Sequence, residues 1–335
     1  MQIPDRIEWN QLSYDQQVAI ARDLAKQLPP EFEFIDVCTF TMGNITQRVA
    51  QFSANEATEF SLIPGGEIPL GFDSSNWQPN PDEAESWADT AEEFEIEDSL
   101  WEHINKVTTA RRQVSLAPFL IETTASEMGW KSISLDNPKV KNMVVEVAAL
   151  PKGSQQYKPP MFRGDYQIRV KHSESSVLTA EIAEYLTHGS LIEDLQRQGF
   201  RFPTSDEWEY VCGAGTTTLF RWGDHVPCDR YPTDNLSQKT SIAIDQMQDW
   251  NYHRQPNAFG VSIAENPYKY EFVADSNTTR GGDGGSTICG GVGFFLGWLT
   301  LATAYFEDCM CIINPKRGIS INFTIGRRVL PLQET

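Results

Sequence analysis

Residues 201–224 read RFPTSDEWEYVCGAGTTTLFRWGD, and the order of turn, helix start and second turn in this stretch decides the fold class. Thr204 and Glu207 stand in the T-x-x-E spacing of a capping box, in which the Thr hydroxyl accepts from the third amide and the Glu reaches back to the cap. Asp206 and Glu209 place further negative charge at the positive end of the same helix. Trp208 and Trp222 supply large apolar surface around which an irregular, strand-poor domain orders. Two carboxylates beside a Trp also suit general acid–base work, but capping and packing account for all of them.

Upstream, LTAEIAEYLTHGSLIEDLQRQG from Leu178 reads as one amphipathic helix leading into this stretch, and residues 126–175 as irregular insertions. Asp82 to Glu102 holds ten carboxylates and no base, the pattern of a solvated surface insert. Near the start, Val18, Ala21, Leu24, Ala25 and Leu28 keep helical spacing behind Ser13 as N-cap, and Pro29-Pro30 stop the helix. FEFIDVCTFTM then alternates like a strand. Residues 1–55 are therefore expected to form a helix–strand appendage, and 56–335 the main domain.

Composition narrows the partners. The 335 residues carry 46 acids against 27 bases, a net charge of −19. Nucleic acid and anionic membranes both ask for a basic footprint, so neither is expected as a partner. The opening MQIPDRIEWNQLSYDQQ has no export pattern. The six cysteines (38, 212, 228, 289, 309 and 311) are scattered, which predicts reduced thiols in a cytoplasmic protein. Gly284 to Tyr305 has no charged residue; its glycine density argues for buried strands and tight loops rather than a membrane helix.

Several stretches together resemble the formylglycine-generating enzyme (sulfatase-modifying factor) family. Residues 201–224 are similar to its R-x-P-T-E-A-E-W-E…W-G-D signature. FSLIPGGEIPLGFD from Phe60 resembles the family's opening hairpin, and RRQVSLAPFLIE (111–122) its following strand pair. NAFGVSIAENPYKYEFVAD (257–275), Arg280-Gly281-Gly282 and Ile325-Gly326-Arg327-Arg328-Val329 resemble the later anchors. The resemblance spans about 60–330 and implies an α+β, C-type lectin-like fold with much irregular structure. The family's oxidases carry two copper-binding thiols about five residues apart. Here Cys289 stands alone, with Phe294 at the second position, so no catalytic residue and no copper are expected. The histidines (103, 172, 188, 225 and 253) lack the iron-binding H-x3-H-x-E pattern of the sulfoxide synthases in the same superfamily. A structural calcium is the one cofactor the resemblance leaves open, with Asn235 and Glu271 as ligands. Ala264 and Pro267 depart from the family's pattern there.

In the family, the residues between R-G-G and G-F-R line the ligand surface. Here an extended run would turn part of Phe294, Phe295, Trp298 and Tyr305 outward, the composition of a recognition patch. The expected ligand-binding set is Cys289, Phe294, Phe295, Trp298, Tyr305, Asn314, Arg317 and Asn322. The placement of segment 283–322 resembles that of variable proteins diversified by retroelements. The expected function is binding of a protein or small-molecule ligand, with a partner or second subunit covering the rings. The alternative is an enzyme of the formylglycine-generating/sulfoxide synthase superfamily with an atypical metal site.

Overall fold

A computed structural model describes residues 3–55, 58–158, 166–173, 175, 177–184, 186–234, 250–308 and 323–332. In chain order, helices α1 (Arg6–Gln11) and α2 (Tyr14–Ala25) lead into strands β1 (Phe32–Met42), β2 (Ile45–Ala54), β3 (Thr58–Ile63) and β4 (Gly66–Leu70). Helices α3 (Pro81–Glu93) and α4 (Leu100–Val107) precede β5 (Arg112–Leu116) and β6 (Phe119–Glu122). Next come β7 (Lys131–Ile133), α5 (Lys141–Ala148), β8 (Gln155–Lys158), β9 (Tyr166–His172) and β10 (Leu178–Glu184). Helices α6 (His188–Arg197) and α7 (Ser205–Gly213) are followed by β11 (Tyr270–Phe272), β12 (Thr278–Arg280), α8 (Ser286–Cys289), α9 (Phe294–Leu299), β13 (Glu307–Asp308), β14 (Thr324–Ile325) and β15 (Val329–Pro331).

The fold is mixed α+β, organised on a five-stranded antiparallel sheet of order β1-β2-β3-β6-β15. Side chains alternate across it, so each face feeds a different core. Phe52, Phe60, Leu62 and Leu120 pack with Trp9, Ala21 and Leu24 of α1 and α2 and with Leu191 and Leu195 of α6. Val49, Ile63, Phe119 and Ile121 face the other way, against Trp208, Val211 and the C-terminal rings. α2 and β1 lie where periodicity places them, and Ser13 caps α2 in a capping box. The division at 55/56, however, falls between two paired strands: Ala54 stands opposite Thr58 and Phe52 opposite Phe60. The first 55 residues are thus built into the main sheet rather than appended to it.

Four further expectations are corrected. Phe60 to Asp73 is not a hairpin, because β3 pairs with β6 while β4 pairs with β5. The chain turns between two ribbons at Gly65, where an added Cβ would lie 2.2 Å from the Leu116 carbonyl oxygen. Residues 126–175 are not irregular: β7, β10, β9 and β8 form a sheet in that order. That sheet packs α5 over a small core of Val140, Val147, Ile168, Val170 and Ile182. The single helix expected from Leu178 splits in two. LTAEIAE alternates and turns Ala180 and Ile182 into this core as β10, and Thr187 then starts α6 with its own capping box to Ser190.

The acidic tract is the last of these. It folds as α3 and α4, each behind a capping box (Asn80 with Glu83, Ser99 with Glu102). Glu83 is fully buried, accepting from the Asn80 amide at 2.8 Å, the Val226 amide at 2.9 Å and His225 Nδ1 at 3.0 Å. One buried carboxylate thereby docks α3 onto the turn that follows Trp222. No helix among the described residues is long and apolar enough to cross a membrane.

Candidate functional site

Helix α7 is the hub that positions the site. Thr204 Oγ1 accepts from the Glu207 amide at 3.1 Å, and Glu207 Oε2 accepts from the Thr204 amide at 2.7 Å. Arg201 grips the same Glu207 with two bonds, of 2.6 and 2.7 Å. Two residues on, the buried Glu209 accepts from the Gly71 amide (2.6 Å), Thr109 Oγ1 (2.8 Å), Arg112 Nη2 (2.9 Å) and Arg280 Nη2 (3.1 Å). It therefore ties three distant segments to α7 rather than answering the helix dipole. Trp208, wholly buried, donates its Nε1–H to Glu271 Oε2 at 2.8 Å. Arg327 completes that set, donating from Nε to Glu271 Oε2 and from Nη2 to Oε1, each at 2.6 Å. A buried charge is tolerated when paired and hydrogen-bonded in this way.

Both oxygens of Glu271, the expected calcium ligand, are thus engaged by Arg327 and Trp208. Its partner in that expectation, Asn235, lies outside the described residues. Among the described residues no three His, Cys, Asp or Glu side chains are grouped as a metal site would require.

The segment after Arg280 is neither an extended run nor a strand. α8 and α9 are short helices separated by Gly290 and Gly291, and tight turns carry 300–304 to an isolated bridge between Tyr305 and Thr108. α9 has no cap of its own sequence. Its leading amides are served from α3 instead: Gly293 N donates to Thr90 Oγ1 and Phe295 N to Ser86 Oγ, both at 3.1 Å. A helix laid on α3 in this way turns its rings inward. Phe295 (0% exposed) stacks on Trp77 at 5.7 Å between centroids, and Trp298 (1%) sits edge-on to Trp250 at 5.0 Å and donates to the Arg230 carbonyl at 2.9 Å.

The expected outward aromatic patch is accordingly corrected. Phe295, Trp298 and Tyr305 are buried, and the half-buried Phe294 packs on Tyr231 at 4.8 Å. The case for a partner covering exposed rings falls away with them. Cys289 is exposed, its Sγ 3.6 Å from the Tyr268 hydroxyl. Asn314, Arg317 and Asn322 lie outside the described residues, as do Cys309 and Cys311.

What this packing leaves open is a cleft of about 310 Å³ between α4 and the α8–α9 segment. Val292, Leu296 and Leu299 line it with apolar surface, and His103, Asp283, Thr287, Tyr305 and Glu307 supply its polar groups. Asp283 is held in place by the amides of Gly285 (2.7 Å) and Thr287 (2.9 Å) and by the Ser286 hydroxyl (3.0 Å). Tyr305 donates to Glu307 Oε2 at 2.7 Å. His103 lies 5.1 Å from Trp87, and burial pushes its pKa below the usual histidine value, which favours the uncharged ring, with one nitrogen donating and the other accepting. The cleft is therefore rich in acceptors over an apolar floor. It matches a small ligand that carries hydroxyl or amine donors.

Of the expected ligand-binding residues that are described, only Tyr305 lines this cleft. His103, Thr287 and Glu307 carry no local motif, and Asp283 signals itself only by following Arg280-Gly281-Gly282. Tyr305 meets α4 because the backbone bridge to Thr108 brings them together, a pairing nearly two hundred residues long that no spacing rule registers. No protein-family model matches the chain, and a search of curated proteins finds no match.

Proposed function

We propose that the protein binds a small polar ligand on a C-type lectin-like scaffold of the formylglycine-generating enzyme type, without that family's oxidase chemistry. The scaffold reading is supported by where the resembling stretches go. Glu207, Trp208, Glu271, Arg280 and Arg327 come from separate anchors between 201 and 328, and they converge on α7 through ion pairs and hydrogen bonds.

The single observation that carries the binding reading is the cleft walled by Asp283, Thr287, Tyr305 and Glu307. It occupies the stretch where the resemblance places ligand recognition, and it stays open although the neighbouring rings are packed away. Its groups are two carboxylates, hydroxyls and a neutral imidazole, with no activated nucleophile among them. Such a set can hold a ligand through several hydrogen bonds at once. The test is saturation-transfer NMR against a panel of monosaccharides, polyols and small amines, run on the native chain and on Val292→Trp. Val292 is a half-buried wall residue, so the larger ring fills the cleft. The reading expects panel members to bind the native chain and lose their signal in the variant. A panel without binders, or signals indifferent to Val292→Trp, contradicts it.

A further inference from the structure

A second cleft, of about 540 Å³, opens on the other side of the Thr108–Tyr305 bridge, and its charge is the reverse of the rest of the molecule. Lys106, Arg111, Arg112 and Arg280 line it, against Asp206 as the carboxylate of the lining among the described residues. On a chain of net charge −19, a concave site with four cationic side chains is a local inversion of the field. Much of that charge is already matched. Arg112 pairs with Asp206 at 2.5 Å and with Glu209 at 2.9 Å, and Arg280 pairs with Glu209 at 3.1 Å. Those two arginines and two carboxylates balance.

What remains is directed into the cleft. Lys106 meets Asp98 through a largely exposed pair, 63% and 32% accessible, which water weakens. Arg111 is exposed and forms no contact ion pair or hydrogen bond among the described residues; its charge acts on Asp73 only at longer range, helping the hydrogen bonds from Ser75 to lower that carboxyl's pKa. Ser205 adds a third group. Its Oγ accepts from Arg280 Nε at 3.0 Å and Nη2 at 2.7 Å. With its lone pairs facing a guanidinium, the hydroxyl presents its proton as a donor, and among the described residues no acceptor takes it. A cation without a contact partner, a second cation held only by an exposed pair and a polarised hydroxyl donor therefore share one concave wall.

The geometry points to this cleft as a binding site for a phosphate-type oxyanion, distinct from the acceptor-rich cleft across the bridge. A tetrahedral oxyanion presents oxygens in several directions, which suits donors spread over Lys106, Arg111 and Ser205, and charge-assisted bonds of this kind are the stronger ones. Free phosphate and the phosphate group of a metabolite share this chemistry, and titrations with inorganic phosphate and with glycerol phosphate separate them. If the rest of the molecule contributes, the ester binds more tightly.

The experiment is calorimetric titration of the native chain with inorganic phosphate at low ionic strength. One saturable site is expected, with Kd of about 1 mM or tighter. Arg111→Ala, which removes no contact of the fold, is expected to weaken it about tenfold or more while the melting temperature holds. Arg22→Ala, an exposed arginine on α2 and the same change in net charge, is expected to leave it unchanged. Val292→Trp also leaves it unchanged, so that failure here and failure of the first cleft read out separately. Absence of saturable phosphate binding up to about 10 mM, or equal affinity in the native chain and Arg111→Ala, overturns the assignment.

Discussion

Around α7, Arg112, Arg201, Arg280 and Arg327 meet Asp206, Glu207, Glu209 and Glu271, whereas from Gly284 to Tyr305 the chain holds no charge at all. Both regions carry much of their bulk into the core, and they reach burial by opposite routes. A buried charge is destabilising unless a specific partner neutralises it, so the ionic region admits few arrangements. An apolar run is satisfied by any dense packing, so its shape is decided by what lies beside it. The ionic region therefore dictates its own geometry, while the aromatic segment takes its geometry from α3. Ser86 and Thr90 start α9, and Trp77 receives Phe295.

The sharpest test on the ionic side is Trp208→Ala. It empties a wholly buried site and also removes a donor from Glu271, so the loss is expected at the upper end of roughly 3–5 kcal/mol. Urea unfolding measures it. Arg327→Met follows, with roughly 3–5 kcal/mol expected because Glu271 is left charged and buried. Adding Glu271→Leu to that variant removes the stranded charge and is expected to recover part of the loss. A double variant no more stable than Arg327→Met would place the cost in lost packing and erase the contrast between the regions.

A pH measurement probes the boundary between them, where His253 stands edge-on to Trp298. Burial, aided by the charge of Arg254, pushes its pKa from 6.5 down to about 4. The unfolded chain thus takes up a proton near pH 6.5 that the fold refuses until about pH 4. The associated stability is complete above pH 6.5 and is lost as pH falls toward 4, by about 3 kcal/mol. Unfolding curves collected from pH 7 to 4 are expected to show this decline, and His253→Gln is expected to flatten that share of it. The smallest effect belongs to the cap: Thr204→Ala is expected to cost about 1 kcal/mol, since Glu207 keeps its grip on Arg201.

The same contrast explains what could be read before the structure. The N-cap at Ser13, the capping box at Thr204 and the alternation of Phe32–Met42 are local rules, and these elements stand where the residues place them. The convergence of Trp208, Glu271 and Arg327 was foreshadowed only as the order of resembling anchors. Three misreadings share a cause, which is reliance on one-dimensional pattern where a distant partner decides. The acidic tract carries its carboxylates outward except at Glu83, and nothing in the tract marks that residue as the one that Val226 and His225 receive. LTAEIAEYLTHG contains enough apolar residues for either period, and the cap at Thr187 settles where the helix begins. Nothing within FFLGWL distinguishes an extended run from a helix, and its helix is started by hydroxyls about two hundred residues away.

The central claim is that the uncharged segment is a packed wall that leaves a cleft, not an exposed aromatic patch. Its most direct test is the melting temperature of four single replacements: Phe294→Ser, Phe295→Ser, Trp298→Ser and Tyr305→Ser. Phe295→Ser and Trp298→Ser are expected to lose roughly 3–5 kcal/mol each, as buried rings do. Tyr305→Ser is expected to fall below them, since its ring borders the cleft, and Phe294→Ser to cost least, being half-buried against Tyr231. A Trp298→Ser or Phe295→Ser variant that melts with the native chain would contradict the account.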